Sequence, residues 1–204
     1  MKLYFAKGTA ALPVHVALEE TGAAYDAIEV DFKRAEQKDE GFLARNPKGR
    51  VPVLETDQGI LTEAPAILAY IAQLYPDAGL IPTDPFGFAQ AQAFNTYLCA
   101  TVHVNHAHKF RGSRWSDDAA SHDAMCAKVP ETMTASADLI ENTYLQGPWV
   151  MGDQYSICDP YLFVITRWMP GDGVDLSAFP KIFDHYARMK TRPAVQRVLA
   201  IHGA

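Results

Sequence analysis

Asn46-Pro47-Lys48-Gly49-Arg50-Val51-Pro52-Val53-Leu54 decides how this chain is read. Asn, Pro and Gly mark a turn, and the apolar run after it marks a short buried strand. Proline cannot donate to a β-ladder, so Pro52 belongs at a strand terminus or edge, and Val51-Pro52 is expected to be cis. That arrangement leaves the N–H and C=O of Val51 free to pair with an extended ligand. Eight residues on, Leu61-Thr62-Glu63-Ala64-Pro65-Ala66-Ile67 runs from a strand directly into a helix start. The first N–H groups of a helix have no intrahelical acceptor, so those at Glu63 and Ala64 favour a carboxylate. A free strand edge beside such a helix start suits a small acidic peptide.

Outward from this stretch, the pattern is β-α-β followed by a hairpin and a helix. Residues 2–6 and 26–31 read as strands with a helix over 11–22 between them, where Pro13 suits the first turn and Gly22 the C-terminal cap. Two such strands joined by a helix form a parallel pair. Val51–Glu55 and Ile60–Thr62 flank the Asp57-Gln58-Gly59 turn as an antiparallel hairpin. A helix over 64–75 follows, with Ile67, Leu68, Ile71 and Leu74 on one face. The order is that of a thioredoxin-like α/β fold with a mixed four-stranded sheet. Tyr75-Pro76-Asp77-Ala78-Gly79 and Pro82-Thr83-Asp84-Pro85 punctuate a linker, which places the domains at 1–79 and 80–204.

The second domain reads as an all-α bundle, with helices over 85–110, 118–145, 156–170, 179–191 and 194–202. Phe94, Leu98 and Val102 form an i, i+4, i+8 stripe, so His103 lies on another face. Ser156 and Asp159 form a capping-box variant, with Tyr155 ahead of it as a hydrophobic staple. Both are expected to serve folding rather than chemistry.

Composition removes several classes of function. The chain has 204 residues, 49% hydrophobic and 21% charged, which suits a globular fold with a sizeable core. A net charge of −6 gives no electrostatic reason to bind nucleic acid or an anionic membrane. No apolar run approaches the roughly 20 residues of a membrane span, and Lys7, Pro13 and His15 interrupt any N-terminal signal-like stretch. Cys99, Cys126 and Cys158 are odd in number and widely spaced, as expected of reduced thiols in a cytoplasmic protein.

The order NPKGRVPVL…LTEAPAI resembles the glutathione-binding half of the cytosolic glutathione S-transferases. Met1-Lys2-Leu3-Tyr4-Phe5, the Gly8 loop and Ala17-Leu18-Glu19-Glu20-Thr21-Gly22 are similar to that family's first strand and helix. Gly152-Asp153-Gln154-Tyr155-Ser156-Ile157-Cys158-Asp159 looks like its "GDxxSIAD" segment, and Tyr161-Leu162-Phe163 with Arg167-Trp168 leans toward the bacterial beta-type branch. The resemblance covers the whole chain. It implies a homodimeric transferase that takes glutathione as co-substrate, uses no metal, and attacks a hydrophobic electrophile with the glutathione thiolate. Alternatives on the same scaffold are a non-catalytic glutathione- or ligand-binding protein and a glutathione-dependent isomerase, reductase or lyase.

Such chemistry needs the thiol, which titrates near 8.5 when free, to be held as thiolate. Lowering its pKa by ~2 units takes roughly 2.7 kcal/mol of preferential stabilisation. The chain departs from the beta-type pattern here, with Phe5 at the first-strand tyrosine and Ala10 at the characteristic cysteine. Thr9, beside the start of the first helix, is the best hydroxyl available, and its alternative role is a cap. Tyr4 should point away from Phe5 as a packed aromatic. His103 matches the beta-type helix histidine that faces the thiol. His106 and His108 lie close by, but without a carboxylate or thiol at helical spacing they do not suggest metal, and with Arg111, Trp115 and Trp168 they are candidates for the second-substrate cleft.

For glutathione itself, the resemblance assigns backbone Val51, with Pro52, to the cysteinyl unit and Glu63 with Ala64 to the γ-glutamyl end. Many relatives carry Ser where this chain has Ala64. Lys33, Arg34 or Arg50 is expected to meet the glycyl carboxylate, with Arg34 preferred. Lys48 is expected to face water.

Overall fold

The structure is a computed structural model that describes residues 1–203. Strands β1 (Lys2–Phe5), β2 (Asp26–Glu29), β3 (Val53–Thr56) and β4 (Gly59–Thr62) form one sheet in the order β2-β1-β3-β4. β1 is parallel to β2 and antiparallel to β3, with Leu3 opposite Ala27 on one side and Leu54 on the other. Period-2 alternation sorts the strand residues. Leu3, Phe5 and Leu54 join the main core, while Tyr4 and Val53 pack with Val30 and Phe42 on the opposite face. Tyr4 therefore points away from Phe5, as its strand position requires.

Helix α1 (Leu12–Thr21) begins with Pro13 in its first turn and ends at Gly22, whose φ of 67° is the left-handed cap. Residues Leu12 to Leu18 are all buried, because the helix lies between the sheet and the helical half of the molecule. The short α2 (Glu40–Leu43) inserts Phe42 beneath the second face of the sheet. In α3 (Ala64–Leu74), Ile67, Leu68 and Ile71 are buried, but Leu74, the last residue of the helix, is 43% exposed and falls outside the expected stripe.

The stretch expected as one helix over 85–110 is two α-helices joined by a π turn. Asp84 caps α4 (Pro85–Tyr97) by accepting the Gly87 N–H at 2.8 Å; Leu98–Val102 is the wider turn, and α5 (His103–Ala107) follows. Phe94, Leu98 and Val102 are buried as the stripe anticipates. A π turn carries one extra residue per turn and re-aims the side chains around it. α6 (Ala119–Leu139) likewise ends in a π turn over Ile140–Tyr144.

Helix α7 (Cys158–Trp168) is the centre of the helical half, with every residue from Cys158 to Thr166 buried. α8 (Pro180–Thr191) and α9 (Pro193–His202) close the bundle. After residue 85 the chain is not wholly helical, since isolated bridges join Trp149 to Gly152 and Met151 to Gln154. Gly152, at φ 75°, makes that tight reversal possible.

The capping box ahead of α7 forms as expected and does more than cap. Asp159 accepts the Ser156 N–H at 2.7 Å and its hydroxyl at 3.2 Å. The Ser156 hydroxyl oxygen takes the Cys158 N–H at 3.2 Å. The other Asp159 oxygen accepts the Val150 N–H at 2.9 Å and lies 3.0 Å from His185 Nε2 on α8. One fully buried carboxylate thus ties together the bridge loop, α7 and α8. Tyr155 packs against Trp149 and under the Arg192 guanidinium, 3.6 Å from its ring centroid. No helix of the described residues is long and apolar enough to cross a membrane.

Candidate active site

A cleft of about 450 Å³ separates the sheet half from the helical half. Thr9, Val51, Pro52, Glu63, Ala64 and His103 all line it, so six of the seven expected site residues meet in one place. Val51-Pro52 is cis. Val51 lies outside the ladder, which begins at Val53, and its neighbours are set by a buried residue that sequence reasoning left in the turn. Asn46 donates through Nδ2 to the Arg50 carbonyl at 2.7 Å, accepts the Lys48 N–H at 3.2 Å, and receives the Gly49 N–H on its own carbonyl at 2.9 Å. With Gly49 at φ 60°, these bonds fold Asn46–Arg50 into a rigid shoulder beside Val51.

Glu63 stands at the start of α3 with φ 71°, a left-handed conformation that is rare for a residue bearing a side chain. Backbone held this way is stored at functional sites when its surroundings enforce it. Here Glu63 is the single residue that joins Thr62, the last of β4, to Ala64, the first of α3. The Glu63 carboxylate pairs with Lys48 Nζ at 2.5 Å, and Lys48 also donates to Thr62 Oγ1 at 2.8 Å. Lys48 is exposed, as its place in the turn implies, and at the same time reaches across the hairpin end to Glu63.

Arg34 is the exception among the expected binding residues. It does not line the cleft, and its largely exposed guanidinium lies 3.5 Å from Glu36. Asp31 accepts the N–H groups of Lys33 and Arg34, and Ala35 adopts a left-handed φ of 58°, which turns this loop's side chains outward. Arg50 lines the cleft instead.

The Gly8–Ala10 loop forms the floor. Thr9 Oγ1 donates to the Ala6 carbonyl at 2.7 Å and accepts the Ala11 N–H at 3.3 Å, a local turn that leads the chain into α1. Tyr4 lies on the far face of the sheet, its hydroxyl 3.1 Å from Glu55.

On the helical wall, Trp168 reaches across to donate its indole N–H to the Gly8 carbonyl at 3.1 Å. Its ring is held by His106, which stacks at 4.3 Å and 13°, and His106 Nδ1 lies 2.6 Å from the buried Asp172 carboxylate. Lys109 also reaches Asp172, at 3.7 Å, and bonds the Gly171 carbonyl. His103 sits 5.0 Å from the Trp168 ring. Burial, followed by the positive fields of His106, Arg111, Arg114 and Arg50, pushes its pKa down to about 4. His103 is therefore a neutral imidazole at physiological pH, able to give or take one hydrogen bond. His108 packs edge-on to Trp115 rather than lining the cleft. Among the described residues no group of three or more His, Cys, Asp or Glu is placed to hold a metal ion.

Cys99 and Arg114 line the cleft, and neither is singled out by local sequence pattern. Cys99 is the less expected of the two. It lies on the π turn, half-buried, with its thiol pushed up by burial, and close to Tyr161. Nothing in the local sequence signals this, because the π turn that aims it depends on packing.

The N-terminal domain model of glutathione S-transferase matches residues 1–73, and the C-terminal domain model matches residues 105–201. The chain is 30% identical to glutathione S-transferase GstA of Escherichia coli O157:H7, over 100% of this chain and 99% of the relative. This chain belongs to the glutathione S-transferase family. Its fold matches a glutathione transferase homologue from Sulfitobacter, crystallised with bound glutathione, at TM-score 0.95 and 48% identity over 98% of this chain and 97% of the other. A maleylacetoacetate isomerase of Pseudomonas aeruginosa is 30% identical over 89% of this chain and 87% of its own length. Family membership makes the chain a glutathione-dependent transferase in class.

Proposed function

We propose that the cleft binds glutathione and that its thiolate attacks an electrophilic small molecule, with residues 1–79 holding glutathione and residues 80–204 shaping the second-substrate pocket. The observation that carries this reading is the convergence of Val51, the α3 start at Glu63–Ala64 and the Gly8–Ala10 loop on one cavity. The cysteinyl unit pairs with backbone Val51 beside Pro52. The γ-glutamyl carboxylate takes the free N–H groups of α3, and its ammonium faces Glu63. Ala64 supplies only its backbone. The glycyl carboxylate falls to Arg50 rather than Arg34.

The sulfur then sits at the Gly8–Ala10 loop. Thr9 becomes its donor by exchanging the bond to the Ala6 carbonyl for one to the thiolate, which is favoured because hydrogen bonds to charged acceptors are the stronger ones. Neutral His103 assists from across the cleft. Titrating the ultraviolet absorbance of bound thiolate tests this: the bound thiol should ionise about 2 units below the free value near 8.5. A bound thiol that titrates like the free one would make the protein a ligand binder.

A second reading, a glutathione-dependent isomerase, is favoured by the likeness to the Pseudomonas isomerase. Product analysis by NMR separates them, since isomerisation regenerates free glutathione and conjugation consumes it. The free thiols Cys99, Cys126 and Cys158 support a reducing, cytoplasmic setting, and pairing of two copies into a homodimer completes the proposal.

A further inference from the structure

We infer that the electrophile itself carries a carboxylate, held at the cleft mouth by Arg111 and Arg114. This deepens the proposed function and rests on it. The chain has 24 acidic and 18 basic residues, yet the cleft lining reverses that balance. Arg50, Arg111 and Arg114 all line it, against the single carboxylate of Glu63, which also pairs with Lys48. Among the described residues none of these three guanidiniums pairs with a carboxylate, whereas Arg34, Arg45, Arg192 and Arg197 each do. An adjoining groove is lined by Lys38, Lys48, Arg111 and Arg114 with no acidic side chain.

Glutathione does not use all of this charge. Its γ-glutamyl carboxylate meets backbone N–H groups at α3, and its glycyl carboxylate takes Arg50 on the sheet wall. Arg111 and Arg114 stand opposite, on the helical wall, beside Trp115. Arg111 precedes and Arg114 ends a turn over Gly112–Arg114 that is packed tightly at its base, since a Cβ on Gly112 would lie 2.8 Å from the His122 ring. His122 in turn closes the loop through the Ser116 carbonyl at 2.5 Å. Two guanidinium forks on a braced turn, repelling each other until an anion arrives, fit one carboxylate, and Trp115 offers a face for an unsaturated body. The hydrophobic electrophile expected from family resemblance thereby gains an acidic group.

Paired aryl chlorides test this. In both a chloronitrobenzoate and the neutral chlorodinitrobenzene, the thiolate forms a carbon–sulfur bond and chloride leaves with its electron pair. The ratio of kcat/KM for the acid over the neutral probe should fall roughly 10–100-fold in R111Q/R114Q, through KM, because a charge-assisted pair contributes roughly 1.5–3 kcal/mol. Calorimetric binding of nitrobenzoate to the protein saturated with S-methylglutathione should weaken in parallel. A ratio and a nitrobenzoate affinity that do not move would overturn the inference, leaving these arginines as solvated surface. Arginine-dependent nitrobenzoate binding without turnover of either probe would sustain the anion site and overturn the conjugation reading instead.

Discussion

The two walls of the cleft are built on opposite principles. The sheet wall presents backbone: the unladdered Val51, the N–H groups opening α3, and the Gly8–Ala10 loop. The helical wall presents side chains: His103, His106, Arg111, Arg114, Trp115 and Trp168. A backbone site is set by turns and prolines, so this chain can carry Ala64 and Ala10 where relatives use polar side chains and still hold a peptide-like ligand. A side-chain site is set by rotamers and neighbours, so it can change its substrate without altering the fold.

The largest way to break the comparison is to remove what holds the helical wall. Asp159→Ala leaves the N–H groups of Val150 and Ser156 and the ring of His185 without their acceptor, and should cost about 3–5 kcal/mol in denaturant melts. A change below about 1 kcal/mol would show that the helical half does not depend on it.

Next comes the seam between the halves. His15 on α1 and His202 on α9 meet at 3.1 Å beside Phe5, on which His202 stacks and against which His15 is tilted, and burial pushes both pKa values down to about 4. The unfolded chain holds these protons more tightly, near pH 6.5. The contribution to stability is therefore complete above pH 6.5 and is lost as pH falls toward 4. By pH 5 the loss should be about 2–4 kcal/mol. Stability of His202→Leu should depend less on pH across this window; an unchanged pH slope would place the acid sensitivity elsewhere.

Glu63→Gly sharpens the contrast on the sheet wall. Glycine accepts φ 71° without penalty, so stability should rise by up to about 1 kcal/mol. Glutathione should bind roughly tenfold more weakly by calorimetry, since its ammonium loses a partner. Gains in both stability and affinity would remove Glu63 from the site.

Thr9→Val should raise the pKa of the bound thiol by about 0.5–1 unit, less than a freely available hydroxyl would give, because the Ala6 carbonyl competes for its proton. No shift at all would assign activation to backbone N–H groups and His103. The smallest effect belongs to Arg34→Ala. Its exposed pair with Glu36 should leave glutathione affinity within about twofold.

Much of the sheet wall was legible in the residues because its signals are local. A Val-Pro step, an Asn-Pro-Lys-Gly turn and a strand running into Pro65 each restrict φ and ψ where they stand. Hydrophobic period placed the helix after Glu63 and the Phe94–Leu98–Val102 stripe, while Pro, Gly and capping signals bounded the helix over 11–22 and the one after Ser156. The π turn at Leu98–Val102 was not legible, and with it went Cys99. Its extra residue is stabilised by what packs on either side of it, not by its own composition. Asn46 has the local signature of a turn former, while its burial and its bond to the Arg50 carbonyl exist only once the hairpin has closed behind it.

By itself, the order of residues determined the type of each main element, the cis-permitting Val51-Pro52 step and the capping box at Ser156–Asp159, because these follow from dihedral preference and periodicity within a few residues. Only the tertiary structure decided that Arg50 faces the cleft and Arg34 does not, that Lys48 folds onto Glu63, that the Thr9 hydroxyl rests on Ala6, and that Arg111 and Arg114 share one mouth. The direction of a long charged side chain is chosen by fields and contacts from residues far away in the chain, and no local pattern encodes it.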